Sequence, residues 1–347
     1  AVLRNKKILI MDEPTAAIEA QQKDYLFKLI DKLKSKGVSI VFIAHHLEDV
    51  MKICDRVSVL RDAKLVKTVK VAGTSLQTVI DHMLGEEQSL SAKRSWRQIN
   101  ASTPLLEVHD MSLNDPSETI SFTLYEGEVL GLAGLKGSGQ TEILNRLFGI
   151  SPLTSGDLLI KRRPFRLHHP QDAMDHGIIL VPGNRQVQGL ILVHSIYFNV
   201  LLPLLKTLRR FFFIDDTQGR RIIQKYIDRL DIKTGDIFSP VSSLSGGNQQ
   251  KVVLSKALAT EPSIMLLDDP TFGVDIHAKS EIIKIVEEFA ARGKGVVFVS
   301  SDLEELLLNC DRILVIKNGR IAKEYQDVLK GDVTLRELTT TVQAKDM

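Results

Sequence analysis

The chain has 347 residues, with 45 Lys and Arg against 43 Asp and Glu and a formal charge of +2. Its 44% hydrophobic and 25% charged residues are those of a globular protein, which excludes a disordered or fibrous chain. The near-neutral balance argues against a nucleic-acid binder that works through a basic face.

In chain order, residues 8–12 and 38–44 read as buried strands, with a helix over roughly residues 19–36 between them. Residues 86–104 are polar, aperiodic and linker-like. From Leu105 the pattern runs through short strands, a glycine loop, a helix from about Thr141 and a mainly helical middle. A strand–helix–strand close follows over residues 264–299. Alternating strands and helices imply an α/β fold with a parallel sheet covered on both faces. The most apolar stretch, residues 190–205, is interrupted by His194, Ser195, Asn199 and Pro203, too often to span a bilayer. No signal-peptide pattern opens the chain. The two cysteines, Cys54 and Cys310, exclude a disulfide framework and fit a reducing compartment.

The sequence repeats itself at a constant offset of 256 residues. Ile8-Leu-Ile-Met-Asp12-Glu13-Pro14-Thr15 returns as Ile264-Met-Leu-Leu-Asp268-Asp269-Pro270-Thr271. Gly37 meets Gly293, Val41-Phe42 meets Val297-Phe298, Leu47-Glu48 meets Leu303-Glu304, and Cys54-Asp55-Arg56 meets Cys310-Asp311-Arg312. The cysteines therefore fall at equivalent positions and read as small buried residues. A glycine-rich loop at Gly134 and a Leu-Ser-Gly-Gly run ending at Gly247 have no counterpart in the first copy. The first copy is expected to be the C-terminal remnant of a unit that the second shows in full.

Three stretches carry chemistry. Gly134-Leu135-Lys136-Gly137-Ser138-Gly139-Gln140-Thr141 lies between the apolar run 129–133 and a predicted helix. Glycines let backbone N–H groups close around phosphates, the helix N-terminus adds positive potential, and Thr141 can hold Mg²⁺. Gln140 stands where a lysine would reach the phosphates, and on its own the loop fits a tight turn equally well. In the second stretch, Asp268 ends an apolar strand and can hold Mg²⁺, while the next residue would orient an attacking water. That next residue is Glu13 in the first copy and Asp269, one methylene shorter, in the second. In the third stretch, Ser245 caps a helix that opens with Gly246 and Gly247, with Gln249 following. Capping alone does not explain two glycines just inside a helix.

Together these motifs resemble the ATP-binding cassettes of ABC transporters, and specifically the fused double-cassette subunits of bacterial monosaccharide importers. Leu244-Ser-Gly-Gly-Asn-Gln-Gln-Lys251 is similar to the signature of that family's second cassette. Gly273-Val-Asp275 resembles its D-loop and Val299-Ser-Ser-Asp-Leu-Glu-Glu305 its switch region. The resemblance implies a P-loop NTPase fold of the ABC-ATPase type, mainly parallel sheet and helices with antiparallel β and helical subdomains. It implies ATP and Mg²⁺ as ligands, held by the 134–141 loop, by the signature residues Ser245, Gly246, Gly247 and Gln249, and by Asp12, Thr141 and Asp268 at the metal. Glu13, His45 and Asp269 then take the hydrolytic positions, His45 as the switch histidine whose second-copy equivalent is Ser301. Gln140, Asp269 and Ser301 replace Lys, Glu and His, so the second cassette is expected to bind nucleotide and hydrolyse it poorly. The first copy keeps Asp12, Glu13 and His45, half of a site that the family completes with the signature at Ser245. Gly183-Asn184 and Phe272 also depart from the family, which has Glu-Asp before Arg185 and Arg in place of Phe272. No histidine other than His45 stands out, and no metal-ligand spacing is present at His46, His168 or His169.

The expected organisation is a first-cassette remnant over 1–85, a linker over 86–104 and a second, degenerate cassette over 105–347. The function implied is the ATPase subunit of a sugar importer, peripheral on the cytoplasmic face of the inner membrane. Its partners would be transmembrane permease subunits and, indirectly, a periplasmic sugar-binding protein, with no nucleic acid. The alternative is a non-catalytic nucleotide-binding module or inactive fragment, including a homodimer through the second cassette. Residues 190–214 correspond to the region that meets the permease. Most of them read as helical core, with Phe211-Phe212-Phe213 as the exposed contact.

Overall fold

The computed structural model describes residues 7–12, 14–15, 20–44, 47–61, 64–84, 99, 102–113, 118–210 and 213–344. The expected linker lies almost wholly outside these, as do Glu13, His45, Phe211 and Phe212. Two compact units form, one from residues 1–91 and 275–277, the other from 92–274 and 278–347.

The first unit contains β1 (Ile8–Asp12), α1 (Ala20–Ser35), β2 (Ser39–Ile43), α2 (Leu47–Ile53), β3 (Arg56–Arg61), β4 (Lys64–Lys70) and α3 (Leu76–Leu84). β1 and β2 pair in parallel and β3 and β4 antiparallel, as two separate two-stranded sheets. Val57, Val59 and Val79 are buried beside Leu47 and Val50, and Phe27, Ile30 and Ile53 form a second small cluster.

The second unit opens with β5 (Pro104–Ser112), β6 (Thr119–Tyr125), β7 (Val129–Ala133) and α4 (Gln140–Phe148). β8 (Asp157–Ile160), β9 (Arg163–Phe165), α5 (Pro170–Asp175) and β10 (Ile178–Val181) follow. The middle is helical: α6 (Ile196–Leu201), α7 (Leu205–Leu208), a short hairpin of β11 (Arg209–Arg210) and β12 (Phe213–Ile214), then α8 (Asp216–Arg229) and α9 (Gly246–Leu258). The chain closes with β13 (Ile264–Asp268), α10 (Ile276–Ala291), β14 (Gly295–Val299), α11 (Leu303–Asn309), β15 (Arg312–Lys317), β16 (Arg320–Tyr325) and α12 (Leu335–Gln343).

The central sheet runs β10-β13-β14-β7-β15-β16, parallel throughout except for β16. Both faces are covered, which is why β7 and β14 are apolar without alternation and buried along their whole length. Along β13, Ile264 and Leu266 face one core while Met265 and Leu267 face the other. The first core is roofed by an antiparallel sheet, β6-β5-β8-β9. The second is filled by α9, α10 and the helical middle, including Leu190, Ile196, Val200, Leu204 and Leu208. Side chains of residues 210–213 lie outside the description, so the expected Phe contact does too. Cys310 is buried against Gly131, where an added Cβ would stand 2.9 Å from its sulfur.

The repeat is legible in the backbone. β1, α1, β2, α2 and β3 have the same bounds as β13, α10, β14, α11 and β15 after the offset of 256. The environments differ. β1 and β2 are expected from their apolar runs to be buried strands, yet both alternate between exposed and half-buried residues, with Ile8, Ile10, Val41 and Ile43 open to solvent. In the second unit β7 lies between β14 and β15, and the first copy has no equivalent strand among the described residues. Among the described residues no strand joins β1–β2 to β3–β4, and one face of β1–β2 is exposed.

No described helix is long and apolar enough to cross a membrane.

Candidate functional site

The C-terminal ends of β7, β13 and β14 open into a cleft of about 920 Å³. Open parallel sheets bind ligands at this edge, where loops and helix N-termini converge. The cleft is lined by Gly134, Lys136, Gly137, Gln140 and Thr141 from the loop after β7, by Asp268 and Asp269 after β13, and by Ser300 and Ser301 after β14. Residues 183–186, Phe272 and Gly273 also line it, as do Leu303, Val342 and Gln343.

Loop geometry explains its glycines. Gly137 and Gly139 have φ of +87° and +116°, in the left-handed region that side chains avoid. At Gly134 a Cβ would lie 2.1 Å from Gln140 Nε2 and 2.5 Å from the Ile316 carbonyl. Gln140 is buried and turns back under the loop, its Nε2 3.5 Å from the Leu135 carbonyl. Lys136 is exposed. Ser138 donates its N–H to Leu135. The N-terminus of α4 follows Gly139 with no side-chain cap, leaving its first N–H groups for a ligand.

Thr141 Oγ1 donates to the Asp268 carboxylate at 3.1 and 3.3 Å. Burial raises the Asp268 carboxyl, and the Thr141 hydrogen bond only partly opposes it. Asp269 takes up φ +43° immediately after the strand, which turns its carboxylate across to β14. There it accepts from the Ser301 backbone N–H at 2.7 Å and from Ser301 Oγ at 3.0 Å. The residue expected to act as base is therefore held by the residue at the switch-histidine position.

The signature helix α9 is capped by Ser245, whose Oγ accepts from the Asn248 backbone at 3.4 Å and side chain at 2.9 Å. Ser245 itself is exposed, whereas Gly247 and Gln249 are buried. Gln249 points inward and donates to the Leu244 carbonyl at 3.1 Å, so it fixes the loop before the helix and does not face solvent. Arg185 explains the first glycine. It opens a π-turn, Arg185–Gly189, and donates Nη1 to the Phe272 carbonyl at 2.8 Å and Nη2 to the Gly273 carbonyl at 3.1 Å. A Cβ at Gly246 would stand 2.8 Å from Arg185 Nη2. Burial lowers the Arg185 pKa, and its Nε has no partner among the described residues. The sequence showed Arg185 only as a neighbour of Gly183-Asn184; its grip on Phe272 and Gly273 was not visible there. Asp12 ends β1 in the first unit and is exposed; Glu13 and His45 lie outside the described residues.

The sequence pattern of the ABC transporter family matches residues 117–272. The ribose import ATP-binding protein RbsA of Bacillus licheniformis is 39% identical over 98% of this chain and 68% of its own length. The chain belongs to the ATP-binding subunits of ABC transporters. Among other members, RbsA of Geobacillus kaustophilus is 40% identical over 96% of this chain and 66% of its own length. The galactose/methyl galactoside import ATP-binding protein MglA of Pasteurella multocida is 38% identical over 92% and 63%. The chain thus spans about two thirds of the length of the curated relatives it matches. A nucleotide-free ATP-binding cassette of an ABC transporter aligns with a TM-score of 0.60 at 18% identity, over 70% of this chain and all of its own. A cassette in a post-hydrolysis state, bound to ADP and Pi, aligns at 0.55 and 22% identity over 64% of this chain and 98% of its own. At these identities the structures share the fold, and the ATP-binding-cassette fold is the one expected from the motifs.

Proposed function

We propose that the chain is the ATP-binding part of a sugar-importer subunit, in which ATP binding and hydrolysis drive carbohydrate uptake through a membrane permease. The observation that carries this reading is the convergence of the 134–141 loop, Asp268 and the Asp269–Ser301 pair on one cleft. Names of the relatives support the transport role: they are import proteins for ribose and for galactose. Residues 1–85 are read as part of a first cassette, 86–104 as linker and 105–347 as a second cassette. The subunit works from the cytoplasmic face of the inner membrane against its permease, and a periplasmic sugar-binding protein enters only through that permease.

Backbone N–H groups of the 134–141 loop and the N-terminus of α4 hold the phosphates of ATP. The Gln140 amide adds a hydrogen bond where a lysine would add a charge. Thr141 and Asp268 fit a Mg²⁺ ion, because Asp268 is a largely enclosed carboxylate raised by burial and lacks a cationic partner among the described residues. Mg²⁺ bound there would offset charge on the phosphate oxygens. Asp269 is short, and both Ser301 donors occupy its Oδ1, so it is poorly placed to take a proton from water. The second cassette therefore binds nucleotide and turns it over slowly, and hydrolysis belongs to the first copy's Asp12, Glu13 and His45.

Calorimetric titration with MgATP tests the binding role. One nucleotide is expected at the second cassette, with affinity about tenfold lower in Thr141→Ala, the cost of disturbing a metal's immediate surroundings. Absence of saturable binding, or identical affinity in the variant, would refute it.

A further inference from the structure

Beneath the Asp269–Ser301 contact lies a second polar cluster that the nucleotide reading leaves unused. Glu305, in the first turn of α11, has its side chain fully enclosed, at 0% exposure. Its carboxylate accepts from Thr271 Oγ1 at 2.8 and 3.0 Å and from Ser300 Oγ at 2.5 Å. Lys279 of α10 approaches Glu305 Oε1 at 3.6 Å and donates to Asp302 Oδ2 at 2.8 Å. Asp302 caps α11 through the N–H groups of Glu304 and Glu305, and its own N–H donates to Ser300 Oγ at 3.0 Å. One carboxylate thus ties together the turn after β13, the end of β14, and helices α10 and α11. Residues 269 and 301, which touch each other, lie two and four positions from its ligand Thr271 and from Glu305 itself.

Enclosing such a group is unfavourable in itself. Burial raises the Glu305 carboxyl in spite of Lys279. Burial alone would lower the Lys279 ammonium, but Glu305 and Asp302 together raise it. Apolar residues of similar volume often stabilise a fold as well or better, so a pair of this kind is best explained by the geometry it fixes. The first unit holds the same pair. Lys23 and Asp49 are the residues at the 256 offset from Lys279 and Glu305, and Lys23 Nζ bonds Asp49 Oδ2 at 3.0 Å. Thr15, the equivalent of Thr271, is buried at 2% exposure. The two copies differ at the hydrolytic positions, Glu13 against Asp269 and His45 against Ser301, yet both keep this ion pair.

We propose that Lys279 and Glu305 are positioning residues of the second-cassette nucleotide site, holding the β14–α11 junction so that Ser301 faces Asp269 at the rim of the cleft. Lys23 and Asp49 are the corresponding pair of the first copy. The assignment rests on the cleft being a nucleotide site, and the test separates the two claims.

Hydrogen exchange on the full chain without nucleotide reads the Ser301 amide directly. In Glu305→Gln and Lys279→Met, exchange over residues 299–303 is expected to rise about tenfold while β7 and β13 stay protected; Lys279→Arg should behave as the parent. MgATP affinity in Glu305→Gln should fall about fivefold to tenfold, with MgADP changed less than about twofold, if the part of ATP that lies against residue 301 is its third phosphate. Unchanged exchange at 299–303, or exchange raised equally in β7 and β13, would overturn the proposal, as would equal losses for both nucleotides. Local loosening at 299–303 in a protein that binds no nucleotide would support the positioning role and refute the nucleotide reading.

Discussion

The two copies are one sequence unit in two environments. Asp311 accepts the Val129 N–H at 2.8 Å and Arg312 pairs with Glu128 at 2.7 Å, so the Cys-Asp-Arg run locks β15 to β7. In the first copy Asp55 of the same run is exposed and pairs with Lys34 at 3.1 Å. β13 is buried along four of its five residues, whereas the equivalent β1 alternates exposed and half-buried ones. The same pattern of apolar residues thus yields strands of equal length and unequal burial. Strand formation is encoded locally, while burial depends on a neighbour that sequence patterning does not reveal.

Matched substitutions sharpen the contrast. Leu266→Ala in β13 should destabilise by about 2–5 kcal/mol, because it opens a cavity in a closed core. Ile10→Ala, at the equivalent position and 67% exposed, should cost about 0.5 kcal/mol or less. Denaturant melts of both variants check this, and equal losses would break the comparison. The cysteines give a second matched pair. Burial raises the Cys54 thiol, with Lys34 opposing it, so native-state labelling should be slow there. At Cys310, fully buried, labelling should be at least about 100-fold slower still and follow global unfolding. Comparable labelling rates would contradict the assigned burial.

The smallest expected effect lies at Asp268, the residue proposed to hold Mg²⁺. The Asp268 carboxyl is raised in the folded state, so its contribution is fully present below its unfolded pKa and is lost as pH rises through the folded value. At neutral pH the charge is a cost. Asp268→Asn should therefore raise Tm at pH 7. That gain should shrink toward about pH 4 and be accompanied by weaker MgATP binding. Asp12→Asn, exposed at the equivalent position, should leave the unfolding free energy within about 0.5 kcal/mol of the parent.

Much of this was legible in the residues. The return of Asp-x-Pro-Thr after an apolar strand set the repeat offset, and the glycine loop between a strand and a helix marked the cleft. The proposal of a degenerate site likewise starts from the residues, since Gln140, Asp269 and Ser301 depart from one function together. What escaped the sequence depends on distant contacts. Arg185 grips carbonyls some 87 residues away, and Gly246 is small because that guanidinium lies against it. The Lys279–Glu305 pair could have been found from its own repetition as Lys23–Asp49, but buried charges in helices look like any solvated face until the packing is known.

The central claim is that the second cassette binds ATP without turning it over efficiently. Single-turnover analysis of MgATP bound to the purified chain tests it most directly, with Asp269→Asn and Glu13→Gln alongside. The account predicts that nucleotide bound at the second cassette persists as ATP, at a rate of loss unchanged in Asp269→Asn, and that any hydrolysis disappears in Glu13→Gln. Rapid conversion to ADP that is abolished by Asp269→Asn and untouched by Glu13→Gln would contradict it.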